Sequence, residues 1–133
     1  MIAAVADTHT AIWYLYNDVR LSARARTFIE TAAKNGEQVA LSSITLVELV
    51  YLIEKGRIPA ISLTLVAQEF SRAESLFLEI PVDLKITRAL AQVDVVQIPD
   101  MPDRIVAATG LLLGVPILSR DGKIRASTVT TIW

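Results

Sequence analysis

The apolar residues of the chain cluster in five short runs that predict β-strands. Residues 2–6 form a continuous apolar run, as expected for a strand that is buried on both faces of a sheet. Further strands are predicted over residues 38–41, 76–81, 115–119 and 129–133, the last of them at an edge. Between these runs the pattern changes to that of helices, so strands and helices are expected to alternate along the chain.

Helix signals occupy most of the segments between the strands. Helices are predicted over 61–74 and 84–93, and over two segments nearer the N-terminus, 10–16 and 23–35. In the helix over 23–35, Ser22 is a good N-cap residue and Gly36 a typical end signal. Residues 95–98 are expected to be extended.

Two further helices carry candidate functional residues. One is capped by Ser42 or Ser43 and ends at Gly56, with four apolar residues on one side: Ile44, Val47, Val50 and Tyr51. The other is capped by Asp100, has Pro102 in its first turn and runs to residue 113. Asp121 and Gly122 are predicted to form a turn after the fourth strand.

Strands that alternate with helices imply βαβ units, and hence a parallel sheet that is covered on both faces. No linker, repeat or low-complexity segment interrupts residues 1–133, so we expect a single α/β domain. In open sheets of this kind, ligands bind beyond the carboxyl ends of the strands. Candidate functional residues are therefore expected at that edge.

Composition narrows the class of protein. Apolar residues make up 53% of the chain and charged residues 20%, which is typical of a folded domain. The mean hydropathy is +0.47, but glycines and a proline interrupt the longest uncharged stretch, 105–119, so no membrane span is predicted. Asp7 interrupts the N-terminal apolar run, which argues against a signal peptide. The absence of cysteine excludes disulfides and suits a cytoplasmic protein.

The apolar excess and the charge also bear on partners. A chain of 133 residues with so many apolar side chains is expected to bury some of them against a protein partner. The net charge is −1, from 13 basic and 14 acidic residues, so no basic excess points to nucleic acid. An RNA substrate would have to be bound by a local groove or through metal ions.

Four acids are predicted to meet at the carboxyl edge of the sheet. Asp7 follows the first strand directly, and Asp121 lies two residues beyond the strand over 115–119. Asp103 is in the first turn of its helix, and Glu48 is about one and a half turns into the helix after the second strand. Because convergent carboxylates repel one another, such a cluster needs a counter-charge. A hard divalent cation such as Mg²⁺ supplies it, and can activate water against a phosphodiester.

Each acid also has a structural interpretation. Asp103 alone is better explained as a helix cap or a partner of the helix dipole, and Asp121 as an ordinary turn residue. Glu48 lies in an apolar run, where it is either exposed by periodicity or held for a purpose. Asp7 has little structural use at the end of a buried strand, so function is favoured there. The combination of the four carries the metal-site hypothesis.

In the order and spacing of the motifs around these acids, the chain resembles the PIN-domain ribonucleases, and among them the toxin subunits of VapBC-type toxin–antitoxin pairs. The matching segments cover nearly the whole chain: 6–9 (ADTH) followed by Trp13, 42–45 (SSIT) followed by Glu48 and Leu49, 100–105 (DMPDRI) followed by 107–109 (AAT), and 118–121 (LSRD). The departure is small. The chain has Asp100-Met101-Pro102-Asp103 where Asp-Pro-x-Asp is commoner, which affects the start of that helix and leaves the acids in place.

The resemblance implies a three-layer α/β/α sandwich with a five-stranded parallel sheet of order 3-2-1-4-5. It also implies RNA cleavage that depends on Mg²⁺ or Mn²⁺, a homodimer, and inhibition by a cognate antitoxin. The implied catalytic and metal-binding residues are Asp7, Glu48, Asp103 and Asp121. Supporting polar residues would be Thr8, Asp100 and Ser119.

Basic and aromatic residues near these motifs are candidates for RNA contact. Arg104, Arg120 and Lys123 lie beside the predicted acids, although Arg104 is better explained by pairing with a neighbouring acid. His9 has a possible acid–base role, but a lone histidine opening a helix is more often a packing residue. The aromatic residues after it could stack bases, but their helical spacing favours the core or a dimer interface: Trp13, Tyr14 and Tyr16.

Four other functions are compatible with parts of the pattern. An aspartyl-phosphate enzyme or a receiver domain would need a second acid near Asp7, and His9 stands where that acid is expected. A degenerate domain that only binds a partner is disfavoured because all four acids are intact. A PIN nuclease of RNA maturation or decay is the nearest alternative to a toxin.

Overall fold

The structure, a computed structural model, describes residues 1–133. Five strands and seven helices alternate along the chain, beginning with a strand. The strands are β1 (Ile2–Ala6), β2 (Gln38–Ser42), β3 (Phe77–Ile80), β4 (Ile117–Leu118) and β5 (Thr131–Ile132). The helices are α1 (Thr8–Leu15), α2 (Ala23–Lys34), α3 (Ser43–Glu54), α4 (Ser62–Phe70), α5 (Leu84–Leu90), α6 (Met101–Leu113) and α7 (Gly122–Ala126).

All strand pairs are parallel, and the strand order is β3-β2-β1-β4-β5. The predicted order 3-2-1-4-5 is therefore confirmed, with β5 at an edge as expected. The strand order reverses at β1, which lies between β2 and β4. Such a reversal opens a crevice at the carboxyl ends of the central strands.

Two apolar cores lie on opposite faces of the sheet, as the alternation of side chains along β1 illustrates. Ala4 and Ala6 of β1 belong to one core, together with Trp13 of α1 and Leu49 of α3. Val5 belongs to the other core, which α5, α6 and α7 cover with buried residues that include Ile86, Val106 and Ile124. The predicted three-layer sandwich follows from this division. None of the seven helices has the length and apolar character needed to cross a bilayer.

Some boundaries differ from the sequence-based expectations. Residues 95–98 were expected to be extended but form a turn, because Asp94 accepts two hydrogen bonds from them. Its side chain accepts the Val96 N–H at 2.8 Å, and its backbone carbonyl accepts the Ile98 N–H at 3.0 Å. The helix predicted to reach residue 74 ends at Phe70. The strand predicted over 76–81 ends at Ile80, before a proline that has no N–H to donate.

At the carboxyl edge, the starts of two helices also differ from the sequence-based expectations. The first helix begins at Thr8, two residues earlier than predicted, because the Asp7 carboxylate accepts the N–H of Thr10 and caps it. The predicted turn at Asp121 and Gly122 is the start of a helix, α7, which Asp121 caps. In α3 the four-residue apolar side is largely turned to solvent, and the buried residues are Thr45 and Leu49.

One glycine of α6 is required by the packing of the helix on β4. A Cβ atom built on Gly110 would lie 2.3 Å from Cδ1 of Ile117 and 3.1 Å from the carbonyl oxygen of Val115. Ile117 is fully buried, so its side chain has no free space into which to move. Close helix–sheet contact at this position therefore depends on the absence of a side chain.

We expect Gly110→Ala to lower the free energy of unfolding by about 1–3 kcal/mol, because it overpacks the core. Urea denaturation of the two proteins measures the difference. Gly122→Ala is the matched control: nothing lies within 4 Å of a Cβ built there, at the first residue of α7. Equal stability of Gly110→Ala and wild type would show that the contact with Ile117 relaxes without cost.

Candidate active site

A polar cavity of about 370 Å³ opens at the carboxyl edge of the sheet, where the strand order reverses. Five of its lining residues are acids, and only one carries a permanent positive charge. The lining residues are Asp7, Thr8, His9, Trp13, Glu48, Asp100, Asp103, Val106, Arg120 and Asp121. The structure thus brings the four predicted acids to one pocket and adds Asp100 to them.

Asp7 is fixed in the pocket by β1, α1 and β4 together. Its backbone N–H donates to the carbonyl of Leu118 at 3.1 Å, which continues the pairing of β1 with β4. Its Oδ1 accepts the N–H of Thr10 at 2.8 Å, and its Oδ2 accepts a hydrogen bond from the Ser119 hydroxyl. Asp7 is only 8% exposed, so both oxygens are held in defined directions. The expectation that Asp7 has little structural use was wrong, since it caps α1.

Ser119 joins two of the acids. Its hydroxyl donates to Asp7 and accepts the backbone N–H of Asp121 at 3.0 Å. Asp121 in turn caps α7, with its Oδ1 accepting the N–H groups of Lys123 (2.9 Å) and Ile124 (3.0 Å). Ser119 is fully buried, and so it has the geometry of a residue that orients the neighbouring carboxylates.

Glu48 is half-buried on α3 and faces the pocket. Its Oε1 accepts the Thr8 hydroxyl at 2.5 Å, and the same hydroxyl lies 3.1 Å from that of Thr45. Burial raises the pKa of Glu48, and the charges of Asp100 and Asp7 raise it further, against the opposing effect of Thr8. Of the two interpretations of Glu48 left open by the sequence, the structure favours the one in which the side chain is held.

Asp100 and Asp103 divide their roles within the first turn of α6. Asp100 caps the helix, as predicted, through a hydrogen bond of 3.1 Å from the Asp103 N–H to its Oδ2. No donor of the protein reaches the Asp103 carboxylate, so the interpretation of Asp103 as a cap is wrong. Burial raises the pKa of Asp103 to about 7, with further contributions from Asp121, Asp100, Asp7 and Glu48.

The family of the chain follows from comparison with known proteins. The profile of the PIN domain matches residues 4–127, which include all five acids of the pocket. The chain belongs to the PIN-domain family. This membership supports nuclease activity at the acidic pocket.

Three crystal structures share the PIN fold over nearly their whole length. VapBC2 from Rickettsia felis, bound to a DNA fragment from its promoter, has a TM-score of 0.71 at 18% identity, over 100% of this chain and 98% of that one. DNA-bound VapBC from Salmonella typhimurium has a TM-score of 0.71 at 19% identity, over 100% and 98%. FitAcB from Neisseria gonorrhoeae has a TM-score of 0.64 at 19% identity, over 100% and 97%. No curated protein matches the sequence significantly.

The donor set of this PIN domain suits a hard divalent cation. All the acids present oxygen ligands, which Mg²⁺ and Mn²⁺ prefer. The raised pKa of Asp103 marks a carboxyl group whose charge is not compensated by the protein. No three Asp, Glu or His side chains, however, converge closely enough to hold one ion. The predicted cluster therefore shares a pocket without forming a complete ligand cage. Mg²⁺ commonly takes one or two carboxylates and completes its shell with water.

The three basic candidates for RNA contact occupy different places. Arg104 does not line the pocket: its Nη2 donates to the carbonyls of Leu90 (3.1 Å) and Val93 (3.3 Å) at the end of α5. Its expected pairing with an acid was wrong, since the only ion pairs are Arg20–Asp18 and Arg72–Glu69. Lys123 is exposed on α7 outside the pocket lining, and Arg120 is part of that lining.

The aromatic candidates also separate. Trp13 lines the pocket but is only 5% exposed, which favours the packing interpretation over base stacking. Its ring lies 5.8 Å from that of Trp133 and 5.7 Å from that of His9, measured between centroids. Tyr14 packs edge-on against Phe77 in the core beneath α1. Sequence reasoning did not predict that Trp13 would be part of the pocket wall.

Proposed function

We propose that this PIN domain is an endoribonuclease that hydrolyses RNA phosphodiester bonds with Mg²⁺ or Mn²⁺. The observation that carries the proposal is the pocket in which Asp7, Glu48, Asp103 and Asp121 meet at the carboxyl edge of the sheet. No serine, cysteine or lysine lines this acidic pocket, and its Thr8 hydroxyl is bonded to Glu48, so no side chain is evident as a nucleophile for attack on phosphorus. The pocket is suited instead to activating water.

In the proposed reaction, water attacks phosphorus and loses a proton to solvent, while the bond from phosphorus to the leaving oxygen breaks and that oxygen takes a proton from solvent. Asp7, Asp103, Asp121 and Glu48 would hold one or two metal ions, with some of these acids acting through water, because no three of them converge on one point. The bound metal would supply a charge that stabilises the reacting phosphate and lowers the pKa of water. Ser119 holds the Asp7 carboxylate through Oδ2. Thr8 holds Glu48 through Oε1. Asp100 supports the site by capping the helix that carries Asp103.

We also propose that the chain is the toxin of a VapBC-type pair, that it acts in the cytoplasm as a homodimer, and that a cognate antitoxin inhibits it. The supporting observation is an exposed apolar strip on α3, formed by Val47, Val50 and Tyr51, which are 62%, 41% and 50% exposed. Neighbours three and four residues apart lie side by side on a helix, so the strip is continuous and suited to a protein partner. A short adjacent upstream reading frame for a DNA-binding protein would support the pairing, and its absence would favour RNA maturation or decay.

The metal requirement is tested by cleavage of total RNA with defined additions. We expect EDTA to abolish cleavage, and Mg²⁺ or Mn²⁺ in excess over the chelator to restore it, because the acidic pocket has no other source of positive charge sufficient for the reacting phosphate. Mapping of the cleavage sites by end-sequencing gives both the rate and the positions. A preparation of Asp7→Asn, made in parallel, controls for contaminating ribonucleases. Cleavage that persists in excess EDTA would rule out the proposed chemistry.

A further inference from the structure

Arg120 carries the permanent positive charge of the acidic pocket, and its guanidinium packs against the ring of Trp13. The guanidinium carbon of Arg120 lies 4.6 Å from the centroid of the Trp13 ring, within the range of a cation–π contact. Trp13 is itself buried and packed against Trp133, so it offers a rigid surface. Arg120 lies between Ser119 and Asp121, two residues that are fixed by their hydrogen bonds. Both ends of the side chain are therefore restrained.

Arg120 is not paired with the acids that surround it. The five carboxyl groups of the pocket attract a cation, yet none of their oxygens lies within 4.0 Å of its guanidinium nitrogens. Arg20 provides a contrast, because its guanidinium lies 5.2 Å from the same ring but also binds Asp18 at 2.7 Å. The charge of Arg20 is thus already neutralised by a carboxylate. Arg120 keeps its donors free at the wall of the pocket.

We propose that Arg120 binds an RNA phosphate that flanks the cleaved one, and that Trp13 is the positioning residue that holds its guanidinium in place. The inference rests on the proposed ribonuclease function. A polyanionic strand that approaches five carboxylates needs a local cation, and Arg120 is the permanently charged cation of the pocket lining. The planar guanidinium can bind a phosphate through two N–H groups at once. The cleaved phosphate would lie at the carboxylates that hold the metal. Because the Arg120 guanidinium makes no ion pair with those carboxylates, we assign it to the next phosphate along the strand.

The steady-state test compares Arg120→Ala with Arg125→Ala, an exposed arginine of α7 outside the pocket lining. On a short single-stranded RNA, we expect Arg120→Ala to lower kcat/KM by roughly 10- to 100-fold, mainly through KM. The slope of log kcat/KM against log salt concentration should fall by about 0.7, as for the loss of one phosphate contact to a single strand. Arg125→Ala should change neither value. A loss confined to kcat, with an unchanged salt slope, would overturn the assignment.

RNA substrates with one uncharged methylphosphonate linkage identify the phosphate concerned. At one linkage beside the cleavage site, we expect the neutral substitution to lower kcat/KM for the wild type and to have little effect on Arg120→Ala. Such non-additivity is the signature of direct contact. Additive losses at every linkage would overturn the proposal.

The role of Trp13 is tested by a second cycle. Trp13→Phe keeps an aromatic surface, so its KM should stay close to that of the wild type. Trp13→Leu should raise KM about as much as Arg120→Ala does. In an Arg120→Ala background, Trp13→Leu should raise KM no further. A further rise there would mean that Trp13 acts on the site by another route.

The outcomes separate the two levels of the proposal. Wild-type protein that cleaves RNA, with Arg120→Ala indistinguishable from Arg125→Ala, would overturn the phosphate contact and leave the nuclease intact. Wild-type protein that cleaves no RNA in Mg²⁺ or Mn²⁺ would overturn the nuclease, and the Arg120 assignment with it.

Discussion

Asp7→Asn is expected to lower the rate of RNA cleavage by roughly 1,000-fold or more while the protein stays folded. Asp7 is the most enclosed acid of the pocket, and the substitution removes a negative charge at which the metal would be held. Loss of one element that stabilises the transition state commonly costs a factor of about 100–1,000, and weaker metal binding adds to this loss. Single-turnover cleavage of a mapped RNA site, at one fixed Mg²⁺ concentration for both proteins, measures the change.

The fold should tolerate this substitution for a local reason. The amide oxygen of asparagine can still accept the Thr10 N–H and cap α1, as Oδ1 of Asp7 does at 2.8 Å. The amide nitrogen would then face Ser119, whose hydroxyl can rotate to accept a hydrogen bond instead of donating one. The melting temperature should therefore change by only a few degrees, and circular dichroism should be unaltered.

Asp83→Asn is the matched control for Asp7→Asn. Asp83 caps α5 through the Ile86 N–H at 3.1 Å but does not line the pocket, so the same chemical change is made at the same kind of position. It should leave cleavage at the wild-type rate. If Asp7→Asn is folded and cleaves at that rate as well, Asp7 is not part of the active site.

The sequence predicted the elements that local signals define completely. The first strand is a continuous apolar run, and β1 has the predicted bounds. Asp100, Pro102 and Gly114 mark the ends of α6, which runs from Met101 to Leu113 as predicted. The helix α7 was missed because it has five residues, too few for apolar periodicity, and because Asp-Gly is a common turn signal. The turn over 95–98 depends on hydrogen bonds to Asp94 that a pattern of valines does not reveal.

The structural and functional interpretations of the acids proved not to be alternatives. Asp7, Asp100 and Asp121 each cap a helix and also line the pocket. A strand that ends at the carboxyl edge is followed by a helix, so a capping carboxylate at that point necessarily lies at the ligand-binding edge. The positive ends of α1, α6 and α7 offset part of the charge of these carboxylates. From the sequence, the helix dipole was considered only for Asp103, and the compensation was otherwise assigned to a metal.

Glu48 and Asp103 differ from the other acids of the pocket. Neither caps a helix, and burial raises the pKa of both. The sequence predicted that both lie at the carboxyl edge, but not their burial, because burial depends on how α3 and α6 pack around β1 and β2. Burial disfavours the charged form of both residues, and at Asp103 the effect on stability can be measured.

Without divalent metal, Asp103→Asn is expected to be more stable than the wild type above pH 7, by about 1–2 kcal/mol after allowance for the partial exposure of Asp103. The native pKa of Asp103 is raised from 3.8 to about 7, so the native state holds this proton more tightly than the unfolded state does. Wild-type stability therefore falls as the pH rises from about 4 to 7. Asparagine resembles the protonated acid at every pH, so the variant avoids this loss.

Urea denaturation in EDTA at pH 5 and pH 8 measures the effect, and the stability gap between variant and wild type should be wider at pH 8. Asp94→Asn is the control for general charge removal, because Asp94 is exposed and outside the acidic pocket, and it should show no widening. Mg²⁺ should then stabilise the wild type more than Asp103→Asn, since a cation that binds the native state stabilises the charged form of Asp103. A gap that is independent of pH would mean that burial and the neighbouring carboxylates do not disfavour the charged form of Asp103. If Mg²⁺ fails to reduce the gap, metal binding at this pocket does not stabilise the charged Asp103 carboxylate.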